Sequence, residues 1–86
     1  MIELKLNGLF ERFRGVLPKG VLEEGIELVA HGECGVAHEL LSQMLLEYSV
    51  PLQSSDLTDL QESASLSGLD PRSLEFLRPL VQPEQK

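Results

Sequence analysis

The residue types best suited to metal binding or nucleophilic chemistry lie close together near the middle of the 86-residue chain. His31, Cys34 and His38 combine imidazole with a thiol, and both groups are good zinc ligands. A structural zinc site supplies four ligands, however, and only Glu33 or Glu39 could complete this set. We therefore expect no metal site here. The three residues are interpreted as a loop histidine, a small packed cysteine and a surface histidine.

Covalent and acid–base catalysis also fit these residues poorly. A nucleophilic Cys34 activated by His31 or His38 would need an electropositive setting, whereas nearby carboxylates raise the pKa of a thiol. A glutamate pair such as Glu23 and Glu27 would need a cleft of suitable width, which short helices do not readily form. We expect a protein without enzymatic activity and without a cofactor.

The carboxylates are the most distinctive feature of the composition. The formal net charge is −7, and the stretch from Gly20 to Asp70 contains no lysine or arginine. Such a surface should repel nucleic acid and anionic lipid, and it should attract a cationic partner. The alternative is an acidic coat that serves only solubility. If the surface binds a partner protein, we expect the contact residues to be Glu23, Glu24, Glu27, Glu33, Glu39, Glu47, Asp56, Asp59 and Glu62.

Apolar spacing predicts two amphipathic helices in the first third of the chain. Apolar residues between Leu6 and Leu17 recur at helical intervals, although the alternation over residues 2–6 would also fit a short strand. A second helix is expected to open at Pro18 and to end at Gly32 in a left-handed turn. Gly25 within it lowers helix propensity, which favours a role in close helix packing.

The third predicted helix has the broadest apolar stripe. Leu46 falls outside this stripe, and we expect a neighbouring element to cover it. The stripe, which should face the core, consists of Val36, Ala37, Leu40, Leu41, Met44, Leu45 and Tyr48.

Two further helices are predicted after Pro51. Ser54 or Ser55 should cap the fourth helix, with Leu57, Leu60 and Ala64 facing inward. Asp70 followed by Pro71 is a strong start signal for a short fifth helix. Leu74 and Leu77 should face inward there, and Pro79 should end regular structure.

These elements predict the fold class as all-α, a compact bundle of four to five short helices. A chain of this length is expected to form one domain, over residues 1–81, followed by a polar tail over 82–86. No apolar run approaches the roughly 20 residues that cross a bilayer. Glu3 and Lys5 interrupt the apolar stretch that a signal peptide needs, so we expect a cytoplasmic protein.

A longer pattern crosses the turn between the second and third helices. It runs from Leu28 to Leu41 and continues in Leu45-Leu46-Glu47-Tyr48, Val50-Pro51-Leu52 and Gly68-Leu69-Asp70-Pro71. The chain resembles, over about Leu17 to Val81, the MafI-like immunity proteins of bacterial polymorphic toxin systems. The matching core is a Gly-Glu-x-Gly turn and a leucine-rich helix, here Gly32, Glu33, Gly35, Ala37, Glu39, Leu41, Leu45 and Glu47.

The resemblance implies a non-enzymatic cytosolic antidote that neutralises a toxin domain from a neighbouring cell, often a nuclease. It assigns no role to Cys34 or His38, which fall on variable places of the motif. Nucleases that hold phosphate backbones tend to have basic clefts, which an acidic helical domain can occupy as a nucleic-acid mimic. We therefore expect one-to-one binding through the outer faces of helices two to four, with no nucleic-acid or membrane partner.

The alternative function is a small acidic adaptor or regulatory protein-interaction domain, including one that self-associates as a homodimer. Such a domain would use apolar contacts, and the acidic surface of an antidote would also need apolar or aromatic anchors for its affinity. The candidates for this role do not all fit the core stripes well, and each is expected to be packed: Leu28, Leu46, Tyr48 and Leu66.

Overall fold

Helices make up most of the computed structural model, which describes residues 2–83 of the chain. Within that range the structure contains no β-strand, and the predicted all-α bundle of four to five short helices is confirmed. The five elements are α1 over Ile2–Arg12, α2 over Lys19–Ala30, α3 over Cys34–Glu47, α4 over Ser54–Leu66 and a 3-10 helix over Pro71–Leu80.

The first residues of the described chain are helical. Ile2 already belongs to α1, so the alternative of a short strand over residues 2–6 is wrong. The inward positions repeat every three to four residues, as on one face of a helix, and not every second residue. The residues that α1 buries are Leu6, Leu9 and Phe10.

α1 ends before Leu17, the last residue of the predicted apolar spacing. α1 ends at Arg12, and Gly15 then adopts a positive φ of 86°, a conformation that glycine reaches without strain. Phe13 and Leu17 are buried from this turn instead of from a helix. The apolar spacing thus correctly identified the core residues while overestimating the helix length.

α2 packs closely against α1 at a glycine. It begins at Lys19, directly after Pro18. A Cβ atom at Gly25 would overlap the ring of Phe10, so the predicted close approach of helices at this position is confirmed. Gly32 has a φ of 78° in the turn that follows α2, as its predicted role in a left-handed turn requires.

α3 lies at the centre of the bundle and contacts the other four helices. Counting 100° per residue, the centre of its buried face lies about 80° around the helix axis from the centre of the predicted stripe. Val36 is consequently 49% exposed, and Tyr48, which follows the last residue of α3, is 51% exposed. The rotation arises because His38 and Ser42, which form hydrogen bonds inside the protein, take inward positions beside Ala37, Leu41 and Leu45.

The cap of α4 lies one residue before the earlier of the two predicted serine caps. Gln53 is the N-cap residue, and its backbone N–H donates to a carboxylate oxygen of Asp56 at 2.8 Å. Ser54 and Ser55 therefore lie inside the first turn, so the predicted serine cap is wrong. The predicted inward residues of this helix are buried, namely Leu57, Leu60 and Ala64.

The fifth helix starts as predicted but has 3-10 geometry. Asp70 is its cap and accepts a hydrogen bond from the backbone N–H of Arg72 at 2.9 Å. Pro79 lies inside the helix, so its predicted role as a terminator is wrong. The fixed φ of proline, near −65°, fits the φ range of a 3-10 helix, which explains this tolerance. The predicted inward residues Leu74 and Leu77 are buried.

Two hydrogen bonds fasten the end of the 3-10 helix to the loop between α3 and α4. The N–H of Leu52 donates to the carbonyl of Leu80 at 2.9 Å, and the N–H of Gln82 donates to the carbonyl of Leu52 at 2.8 Å. Of the predicted polar tail over 82–86, residues 84–86 lie outside the described residues, as does Met1. No helix between residues 2 and 83 is long and apolar enough to cross a membrane.

Candidate protein-binding surface

The structure separates the three residues that could have bound zinc. His31 follows α2 and is exposed, with Nδ1 2.9 Å from the carbonyl oxygen of Glu27. Cys34 is the first residue of α3, and His38 lies one turn further along, facing the core. No group of three or more histidine, cysteine, aspartate or glutamate residues within 2–83 is arranged to hold a metal ion.

His38 is fully buried, so its prediction as a surface histidine is wrong. Its Nε2–H donates to the carbonyl of Leu60 on α4 at 2.9 Å. Ser42 donates to the carbonyl of His38 at 3.0 Å and lies 3.4 Å from the ring Nδ1. Burial lowers the pKa of His38, opposed by the bond to Leu60, so the neutral ring is favoured. This histidine links α3 to α4 and is not presented to a ligand.

Cys34 has the opposite environment from a reactive cysteine. Partial burial raises the pKa of its thiol, and the negative charge of Glu3 raises it further. A raised pKa reduces the thiolate fraction, and the thiolate is the nucleophilic form. The sequence predicted that nearby carboxylates raise the pKa of this thiol, and Glu3 does so, although burial contributes more.

The carboxylates of α4 are neutralised by α1. Arg12 contacts Asp56 and Asp59, each at 3.0 Å, and Lys5 lies 3.1 Å from Glu62. Asp56 is the least exposed of the three carboxylate side chains. The structure thus brings these three predicted contact residues into ion pairs that join two helices, which reduces the charge that they can offer to a partner.

The carboxylates of α2 and α3 have few such contacts. Glu23 lies 3.9 Å from Lys19, and both side chains are largely exposed, so this pair is weak. The other predicted contact residues in this region are exposed and form no salt bridge with another residue between 2 and 83: Glu24, Glu27, Glu33, Glu39 and Glu47.

The remaining basic side chains of the described range also have local acidic partners. Arg14 contacts Glu11 at 2.6 Å, and Arg78 contacts Glu75 at 2.7 Å. Arg72 contacts Asp70 at 3.0 Å. Every lysine and arginine between residues 2 and 83 is therefore within salt-bridge distance of a carboxylate, which leaves the negative excess concentrated on α2 and α3.

Several large apolar side chains are exposed beside these carboxylates. Leu46, Tyr48 and Leu66 are 42%, 51% and 61% exposed, so the expectation that each is packed is wrong. Only Leu28, among the four predicted anchors, packs against the core. Leu46 lies outside both the predicted stripe and the buried face of α3, Tyr48 follows the last residue of that helix, and Leu66 is the last residue of α4.

The concave parts of the described surface offer little for catalysis. One depression lies between α3 and the 3-10 helix, where His38 is bonded to Leu60 and Asp70 is paired with Arg72. A second is lined by residues 51–55, 82 and 83, none of which is acidic or basic. The arrangement of charge and exposed apolar groups is better suited to binding another protein. Comparison with models of known protein families, with curated proteins and with solved structures finds no match to this chain.

Proposed function

We propose that this protein is an immunity protein that binds and neutralises a bacterial toxin domain, as its resemblance to the MafI-like family implies. The observation that most supports this function is the concentration of carboxylates without ion pairs on α2 and α3. Carboxylates held within a Debye length of about 8 Å add their fields and accelerate encounter with a basic protein. Inhibition by occupying a site requires no catalytic group.

A nuclease is the class of toxin that fits this surface best. Enzymes that bind phosphate backbones use lysine and arginine for much of their affinity, and a rigid acidic domain can compete for the same cations. The proposed antidote acts in the cytoplasm of the cell that makes it. It binds neither nucleic acid nor membranes, because both are anionic, and it uses no cofactor.

The direct test is to mix the purified protein with the toxin domain encoded beside its gene. Calorimetry at 50 and 300 mM salt should show a one-to-one complex that weakens at the higher salt concentration, because salt screens exposed charges. Nuclease activity of the toxin domain should be lost at equimolar protein. A noncognate toxin domain of similar net charge is the matched control. Absence of association with the cognate domain at 50 mM salt would refute the proposal.

The second candidate is an adaptor that binds through apolar contacts, with acidity serving only solubility. The observation that favours it is the set of exposed apolar side chains, of which Leu4 is the most exposed at 70%. Replacing Glu23, Glu24 and Glu27 by lysine distinguishes the two functions. An antidote steered by charge should associate more slowly after the change, whereas an adaptor should keep its association rate.

A further inference from the structure

The outer face of α3 combines exposed carboxylates with exposed apolar side chains. This face consists of Val36, Glu39, Gln43, Leu46 and Glu47, all of which are exposed. At 100° per residue these side chains fall within an arc of about 100°, and the helical rise places them along roughly 16 Å of the axis. The spacing gives two apolar residues and two carboxylates around a central amide. A face of this length and mixed character can lie against a groove on another protein, with both apolar and charged contacts.

Neither carboxylate of this face has an internal partner. Glu39 and Glu47 form no salt bridge with any residue between 2 and 83. Leu46 and Val36 are 42% and 49% exposed, so no described element covers them. The face therefore has both unneutralised charge and apolar area available for contact.

The opposite face of α3 holds these side chains in position. Ala37, Leu41 and Leu45 are fully buried there, and α3 contacts each of the other helices. A surface built on the central helix of a bundle loses little backbone freedom on binding, which lowers the entropic penalty of association. The α2 carboxylates lack this combination, because none of the exposed large apolar residues of the described chain lies between Lys19 and Ala30.

We infer that the outer face of α3 is the contact surface for the cationic partner, with Val36 and Leu46 entering apolar pockets that basic side chains surround. This inference rests on the proposed function and specifies which part of the acidic surface touches the toxin domain. A second copy of the chain is a poor occupant. Antiparallel pairing of two such faces would bring Glu39 against Glu47 of the other copy, and like charges repel. A nucleic acid is excluded by the same charge.

Matched charge reversals on two helices test this assignment. One variant carries Glu39→Lys and Glu47→Lys on α3, and the other carries Glu24→Lys and Glu27→Lys on α2. Because both change the net charge equally, both should slow association with the toxin domain encoded beside the gene. Only the α3 variant should also dissociate faster, by about tenfold or more, because close charge pairs contribute to complex lifetime. The α2 variant should dissociate within about threefold of the unmodified protein.

The variant Leu46→Ala tests the apolar contact of this face separately from its charges. It leaves the net charge unchanged, so the association rate should stay the same while dissociation accelerates several-fold. Leu66→Ala, at an exposed position on α4, is the control and should change neither rate. Equal dissociation rates for the α2 and α3 charge variants would overturn the assignment of the α3 face while leaving toxin binding intact. Failure of the unmodified protein to bind would instead remove the proposed function, and with it this inference.

Sedimentation velocity of the free protein provides an independent check. The assignment predicts that the unmodified protein is monomeric at neutral pH. A dimer that Leu46→Ala dissociates would show that a second copy occupies this face and would overturn the inference. Circular dichroism of each variant should match that of the unmodified protein, because none of the substituted side chains is buried.

Discussion

The outer surfaces of α3 and α4 use the same type of side chain for different purposes. On α4, Asp56 and Asp59 both contact Arg12, which ties the helix to α1. On α3, Glu39 and Glu47 remain without an ion pair to another described residue. A carboxylate that stabilises the bundle is partly neutralised, whereas one that does not retains its field for a partner. The count of acidic residues therefore overstates the surface that can attract a basic protein.

The largest expected effect concerns the two faces of α3. Leu45 is fully buried, while Leu46 is 42% exposed. Leu45→Ala should lower the free energy of unfolding by about 3 kcal/mol, because it removes buried apolar volume and leaves a cavity. Leu46→Ala should change it by less than about 0.5 kcal/mol. Urea denaturation of the two variants measures the difference. A similar loss for both would mean that the outer face of α3 belongs to the core.

A smaller effect is expected from the buried contact between α3 and α4. Burial lowers the pKa of His38 from its ordinary value of 6.5 in the folded protein. The unfolded chain therefore binds more protons between the two pKa values, and the free energy of unfolding must fall as the pH drops below about 6.5. The loss stops once the pH is below the folded pKa. Its slope cannot exceed about 1.4 kcal/mol per pH unit for one proton.

Denaturation at a series of pH values tests this dependence. His38→Gln keeps a side-chain N–H that can donate to Leu60, and it removes the titrating ring, so its stability should be flat between pH 7 and 5. Glu11, Asp70 and Glu75 have lowered pKa values because each is bonded to an arginine. The stability that these three carboxylates contribute is lost only below about pH 4.5, whereas the loss caused by His38 begins near pH 6.5. If the free energy of unfolding of the unmodified protein did not change between pH 7 and 5, the burial of His38 would be contradicted.

The ion pairs between α1 and α4 should have an effect of about 1 kcal/mol. Arg12→Gln removes the partner of Asp56 and Asp59, and exposed or half-exposed ion pairs contribute about this much or less. The loss should shrink in 1 M salt, where the Debye length is about 3 Å. Arg14→Gln is the matched control, because its partner Glu11 lies in the same helix region and both side chains are about half exposed. If the two variants lose equal stability, Arg12 does not join the helices as described.

The smallest effect is expected on the outer face of α3. The pair Glu39→Lys and Glu47→Lys should change the free energy of unfolding by less than about 0.5 kcal/mol, because neither side chain has an internal partner. Reversing Asp56 and Asp59 to lysine should destabilise the protein, since it would place cations beside Arg12. Thermal unfolding of both double variants makes this comparison. A destabilised α3 variant would show that its carboxylates support the fold.

Local rules explain which parts of the fold were predictable. The turn at Gly32 and the cap at Asp70 depend on residues close in sequence, and both were predicted correctly. The inward rotation of His38 was not predictable, because its hydrogen bond to Leu60 spans 22 residues. The ion pairs of the α4 carboxylates were not predictable for the same reason. Spacing indicates that a carboxylate faces outward, but it cannot show that Arg12 of another helix will lie against it.

The contact between Phe10 and Gly25 has a consequence for how the first two helices align. The ring of Phe10 lies where the Cβ of any other residue would be, so the helices approach this closely because Phe10 faces Gly25. Sliding α1 along α2 by one turn would set the ring against Leu22 or Val29, which lie on the same face of α2 as Gly25. The missing Cβ of Gly25 thus fixes the register of α1 against α2, and any larger residue at this position would require Phe10 to move.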